Sequence, residues 1–304
     1  MAGRRPIVVC LSVSLTAWLI VGLAGCSRPK AGAPGAVGGA SKAGATIRQT
    51  GSTTLLPLAE KWRQAFDAQH PEVNIAVSGG GSGTGIKALI AGTAEIADSS
   101  REIKPEETQQ AQAAGVKPVE HLVAYDGIAV IVHPSNPLKE ISFQTLSDIF
   151  TGKIRKWDAA GAKGLGEMQL VSRDSASGTY EAFKDMVVTL DGKDKSRDYA
   201  ASSLKQSSNQ AVLNLVAQTK SAIGYVGLGY LNSSVKVLAV VPLQGGAAVQ
   251  PTAENVLNHT YPISRKLYCY TNGEPSGALK DYLDWIKGPE GQDLVKKLGF
   301  VPLP

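Results

Sequence analysis

From Thr46 onward the chain repeats one pattern of apolar and polar positions: a short apolar segment, a turn rich in glycine and hydroxyl residues, then apolar residues at helical spacing. Thr46 to Gln49 leads into Gly51-Ser52-Thr53-Thr54, after which Leu55, Leu58, Ala59, Trp62 and Phe66 recur on one helical face until His70-Pro71 ends the run. Val73, Ile75 and Val77 then alternate with polar or small residues as a strand does. Gly79 to Gly85 interrupts, and Ile86 to Ala91 resumes a helical run. A third copy passes from Met168 to Val171 through Arg173-Asp174-Ser175-Ala176-Ser177-Gly178-Thr179 to a face of Tyr180, Phe183, Met186 and Val187. Strands alternating with helices predict an α/β fold with largely parallel or mixed sheets.

Two apolar runs stand outside the repeat. Val123 to Val132 is nearly continuous and holds Asp126-Gly127, while Ala222 to Leu228 holds Gly224 and Gly227. Both read as buried strands carrying bends. If both also cross between two lobes, residues 46–124 and 228–304 form lobe I, residues 125–227 form lobe II, and a cleft separates them. The body is long enough for one large domain or two of ordinary size, at ~100 to 200 residues per domain.

The first 45 residues follow other rules. Arg4 and Arg5 precede an apolar stretch from Ile7 to Leu23 that stops at Leu23-Ala24-Gly25-Cys26, the layout of an export signal rather than of a span of ~20 apolar residues. The small-small-Cys ending resembles the lipobox cut by the bacterial lipoprotein signal peptidase. Residues 1–25 thus read as a signal peptide and Cys26 as a lipid-carrying first mature residue, the alternative being an ordinary signal or uncleaved anchor with Cys26 incidental. Residues 26–45 are mainly Gly, Ala, Ser, Lys and Pro, a composition that buries too little surface to fold and predicts a flexible leash. The expected location is extracytoplasmic, tethered to the cell membrane.

Charge and composition remove several classes. The formal charge of +5 comes from interspersed lysines, arginines and acids without a basic stripe, which argues against a nucleic-acid partner. His70, His121, His133 and His259 are scattered without metal-ligand spacing, so no metal or other cofactor is expected. With Cys10 in the signal and Cys26 acylated, Cys269 has no disulfide partner and reads as a small buried residue of the run Leu267 to Tyr270.

The repeated turns carry the candidate chemistry. The first N-H groups of a helix lack intrahelical partners and the helix dipole adds partial positive charge there, so each strand-to-helix turn is a ready anion site. Glycine lets the backbone approach a ligand, and Ser or Thr adds a hydroxyl donor. Any one such turn is also an ordinary cap. Three in one chain, one of them with Arg173 shortly before Ser177, point to a convergent site for a small tetrahedral oxyanion, because a guanidinium fork binds two anion oxygens at once. A nucleotide loop is excluded, since Gly85 and Lys87 are separated by Ile86 and followed by Ala88. Ser175 to Thr179 does not form a nucleophile elbow, and no histidine stands in a triad context, so no enzymatic activity is expected, the alternative being a surface phosphohydrolase with some other arrangement.

Taken together, Gly51 to Thr54, Ser78 to Gly85, Ile96 to Glu102, Ala124 to Gly127, Asp148 to Lys153, Arg173 to Thr179 and the ending Gly299 to Pro304 resemble the PstS-type phosphate-binding proteins, in order and across nearly the whole body. The resemblance implies a two-lobed periplasmic-binding-protein fold of type II, a monomer that closes on phosphate in the interlobe cleft about two crossing strands and docks on the permease of an ABC transporter. Carried over by residue, Thr53, Thr54, Ser82, Arg173, Ser177, Gly178 and Thr179 would donate to phosphate, with Ser52, Gly81, Gly83, Thr84 and Arg101 behind them. A carboxylate accepting the phosphate proton would exclude sulfate, which has none to give. Some relatives have an aspartate where this chain has Ser100; here Asp126 is the favoured acceptor, with Asp98 next.

Overall fold

A computed structural model describes residues 45–304. The expected signal peptide of residues 1–25, Cys26 and all but the last residue of the expected 26–45 leash lie outside the described residues. Among the described residues no helix is long and apolar enough to cross a membrane.

The repeating unit of the sequence is realised three times at the start: β1 (Thr46–Gly51) and α1 (Leu56–Asp67), β2 (Asn74–Ser78) and α2 (Ser82–Ile90), β3 (Ile96–Ser99) and α3 (Pro105–Ala113). The long strand β4 (Pro118–Val132) follows. Next come β5 (Glu140–Ser142), α4 (Phe143–Phe150), β6 (Gln169–Arg173), α5 (Gly178–Phe183), β7 (Leu204–Gln206), α6 (Asn209–Gln218), β8 (Ala222–Gly227), β9 (Lys236–Val241) and α7 (Ala253–Leu257). The chain ends with β10 (Ser264–Asn272), α8 (Gly277–Lys287) and α9 (Pro289–Lys297).

One curled sheet runs in the order β2-β1-β3-β10-β4-β8-β6-β7, with β9 against β4 and β5. The βα units make parallel pairs, β1 with β2 and β3, β6 with β7 and β8, while β10 and β8 are antiparallel to β4. β4 is the shared element. Residues 118–127 pair with β10 and Ile128–Val132 with β8, so the change of partner falls at Asp126-Gly127, the bend expected from sequence.

Each half has its own core, as a two-lobed periplasmic-binding fold requires. Apolar faces of α1, α8 and α9 close over one half with Trp62, Phe66, Leu267, Tyr282 and Phe300; the other centres on Val130, Phe150, Trp157, Phe183, Tyr225 and Leu238. Each such side chain contributes ~1.5–3 kcal/mol on burial. The strand Ala222–Gly227, read from sequence as the second crossing, pairs with β4 and β6 inside the second core. Val235, Leu238, Val240, Val256, Tyr261 and Ile263 join that core too, and the chain returns at Ile263–Arg265, where Ser264 pairs with Gly127. The run of β9 is equally apolar for either half, and only its pairing with β4 and β5 assigns it.

Candidate functional site

Three helix starts meet. The turn after β1 opens α1 with Ser52 O accepting from Leu56 N at 3.0 Å, Gly81 precedes Ser82 at the start of α2, and Ser177 caps α5 by accepting from Thr179 N and Tyr180 N at 3.2 and 3.3 Å. Gly81 is held at φ +100°, where a side chain would overlap Ala176 O, so glycine is required for the second turn to approach the third. Gly83 N donates to Ala176 O at 3.2 Å across the same contact. Gly178 is packed so tightly that a Cβ would overlap Ser82 Oγ and lie 2.6 Å from Ser100 Oγ.

Hydroxyls and guanidinium groups meet at the junction. Thr54 Oγ1 and Thr179 Oγ1 are 2.9 Å apart, Arg173 Nη2 donates to Thr53 Oγ1 at 2.8 Å, and Ser100 N donates to Ser82 Oγ at 3.1 Å. Thr53, Thr54, Ser82, Ser100, Arg173, Ser177 and Thr179 are all buried. Arg173 is positioned by the second core: its backbone N-H donates to Tyr225 OH at 3.3 Å, and Tyr225 stacks on Phe183 with centroids 3.9 Å apart. Its Nε donates to Gln206 O and its Nη2 also to Ser207 O, but Nη1 is buried with no protein partner. Burial pushes the Arg173 pKa below the ordinary guanidinium value, against the pull of nearby Asp174. A bound anion would satisfy both the orphan donor and the charge.

The residues expected behind these sit as supports. Ser52 Oγ accepts from Thr54 N at 3.2 Å; Arg101, beside Gly83, forks onto Glu107 at 2.7 and 2.8 Å. Thr84 is exposed and its hydroxyl turns back to Gly80 O.

Residues 36–290 match the family described as the PBP superfamily domain. The chain is 34% identical over 281 residues to the phosphate-binding protein PstS of Pseudomonas aeruginosa, covering 87% of this chain and 85% of that protein. PstS of Bacillus subtilis is also 34% identical, over 266 residues, with 87% and 83% covered. Among solved structures, one described as a phosphate ABC transporter substrate-binding protein with bound phosphate from Clostridium perfringens aligns with a TM-score of 0.76 at 33% identity, over 85% of this chain and 100% of that one. The chain belongs to the PstS-type phosphate-binding proteins.

Within this PstS-type frame the two candidate carboxylates have different partners. Asp126 is fully buried at the edge of the cluster, but its Oδ2 accepts from Arg265 Nε and Nη2 at 3.0 and 2.7 Å and its Oδ1 from Leu228 N at 2.9 Å. Burial lifts the Asp126 carboxyl above its ordinary range while the Arg265 charge opposes the rise. Asp98 faces elsewhere: its Oδ1 accepts from Gln49 Nε2 at 2.9 Å and Cys269 Sγ at 3.3 Å, under the α8 side of the sheet. Burial pushes its pKa up to about 7. β-strand alternation would put Asp98 and Ser100, two apart, on one face, but β3 ends at Ser99 and the chain bends at Ser100, which sends only Ser100 to the helix starts.

Three contributors were not expected. Arg265 reaches Thr54, Thr179 and Asp126, Asn209 Nδ2 donates to Thr54 Oγ1 at 3.2 Å, and Tyr230 OH donates to Thr53 O. Asn209 had a signal, because Ser207-Ser208-Asn209 is a fourth polar turn between a strand and a helix, with Ser208 capping α6. Arg265 had only the Arg265-Lys266 pair at the edge of an apolar strand as a signal.

Proposed function

We propose that this chain is the extracytoplasmic receptor that captures inorganic phosphate, as hydrogenphosphate, and delivers it to the membrane permease of a phosphate ABC transporter. The observation that carries the reading is Arg173 Nη1, a buried guanidinium nitrogen without a protein acceptor at the meeting of three helix starts. Membership of the PstS-type family supports phosphate as the anion, and its relatives include one described with phosphate bound.

Ligand-dependent closure follows from the arrangement. Thr54 and Asn209, Thr53 and Arg173, and Lys104 and Glu181 are partners drawn from the two cores, so an anion held by Arg173 and the helix starts binds the closed arrangement better than an open one and shifts the hinge toward it. β4 and the return at Ile263–Arg265 serve as that hinge. The receptor acts as a monomer tethered through lipid on Cys26 by the 26–45 leash, with no cofactor. It binds without turnover, because hydroxyls, amides and a guanidinium hold an anion, whereas hydrolysis needs a nucleophile with a base or a metal pair.

Calorimetric titration with phosphate and sulfate tests this. Tight phosphate binding with sulfate a poor competitor is expected; no phosphate binding beside clear binding of another anion overturns it. A second reading, a receptor for another tetrahedral oxyanion, is favoured by one feature: the acceptor oxygens of Asp126 are engaged by Arg265 and Leu228. Equal affinity for sulfate and phosphate would establish it.

A further inference from the structure

Resting on the phosphate-receptor reading, we propose that Arg265 and Asn209 fix the direction of the Thr54-Thr179 hydroxyl pair, so that the Thr179 hydroxyl can only donate to the bound oxyanion. Donor and lone-pair counting carries this. A guanidinium has five N-H donors and no acceptor, and a hydroxyl has one donor and two lone pairs. Every Arg265 donor is spent inside the protein: Nε on Asp126, Nη2 on Asp126 and Thr54 Oγ1, Nη1 on Thr179 Oγ1 and Ser100 O. Arg265 therefore has nothing left for a ligand, unlike Arg173 with its unpartnered Nη1. It is a positioning residue.

The direction then propagates. Thr54 Oγ1 accepts from Arg265 Nη2 and Asn209 Nδ2, both at 3.2 Å, which fills its lone pairs and obliges it to donate to Thr179 Oγ1, 2.9 Å away. Thr179 Oγ1 accepts from Thr54 and, at 3.0 Å, from Arg265 Nη1, leaving only its proton to offer. Gly227 N donates to Asn209 Oδ1 at 3.3 Å, which sets the amide so that Nδ2 faces Thr54. Asp126 fixes the guanidinium plane from behind.

A donor-only hydroxyl pairs best with an unprotonated phosphate oxygen, and the dianion offers three of these where the monoanion offers two, so in a closed site crowded with donors the dianion satisfies more of them. The device thus adds to the preference for the ion with more unprotonated oxygens, through donor count and not through net charge. The charged groups around the pair are Arg265, Asp126 and Arg173.

The test is calorimetric titration of the full chain with inorganic phosphate below and above its second ionisation, comparing wild type, Asp126→Asn/Arg265→Met and Asn209→Ala. The double variant removes the ion pair as a neutral unit, stranding no buried charge. We expect it to lose about tenfold in affinity for the dianion and to lose preference for dianion over monoanion, with a smaller flattening in Asn209→Ala. Wild-type pH profiles in both variants, or a uniform loss with the profile intact, overturn the inference. If the double variant fails to fold, the Asn209→Ala profile decides alone. Failure of the wild type to bind phosphate sinks the receptor reading and this inference with it.

Discussion

Replacing Arg173 is the most searching perturbation of the site. The side chain is fully buried, donates to Thr53 Oγ1, Gln206 O and Ser207 O, and leaves Nη1 for the anion. Arg173→Ala removes one partner of a buried charge-assisted contact, which costs ~2 to 5 kcal/mol. At about 1.4 kcal/mol per tenfold, phosphate affinity should fall roughly 30-fold to several thousandfold. Arg173→Lys keeps the charge but offers a point donor in place of a fork, and should fall between Ala and wild type. The ligand-free protein should behave differently. A buried cation without an anion is unfavourable, so thermal melting of Arg173→Ala without phosphate should show little loss of stability despite three missing hydrogen bonds. Titration calorimetry and melting with and without phosphate separate the two effects. An unchanged phosphate Kd in Arg173→Ala beside normal wild-type binding would refute the assignment of Nη1 to the anion.

Other perturbations bear on closure and on pH. Gly178→Ala should abolish phosphate binding while leaving each core folded, since the added Cβ overlaps Ser82 Oγ only where the helix starts meet; circular dichroism with titration checks both halves of that statement. Lys104→Ala breaks a partly exposed ion pair with Glu181 and should change affinity by less than about fivefold, with the difference vanishing at high salt. Asp98 has its folded pKa raised to about 7 by burial, above an unfolded value near ~3.9, so the folded state holds the proton more tightly. Its contribution to stability is full below the unfolded value and is lost as pH rises through about 7. Chemical denaturation should show the wild type losing this contribution between about pH 4 and about pH 7, and Asp98→Asn should flatten that fall.

How much of this could be read along the chain differs by the range of the interaction involved. The strand-turn-helix units around Gly51, Gly79 and Arg173 were legible because turn chemistry and helical periodicity act over a few residues, although α2 starts at Ser82, inside the glycine-rich turn and four residues before the Ile86 run. The local code put hydroxyls at those helix starts, and Thr53, Thr54, Ser82 and Thr179 are buried there, whereas Ser100, in the bend after β3, was reached only through the family resemblance. Cys269 was likewise legible as a buried strand residue. Which half claims the strand Lys236–Val241 was not, because pairing register is set by the partner and not by the strand. The same holds for the ion pair of Asp126 and Arg265, 139 positions apart, which forms only because β4 and β10 align those two residues opposite each other. The sequence by itself determined that donors would gather at helix starts, a property of backbone groups that no tertiary context removes. Which carboxylate is paired with a cation and which is held by neutral donors was decided by the tertiary structure alone, because a buried carboxyl takes its partners from wherever the sheet brings them within reach.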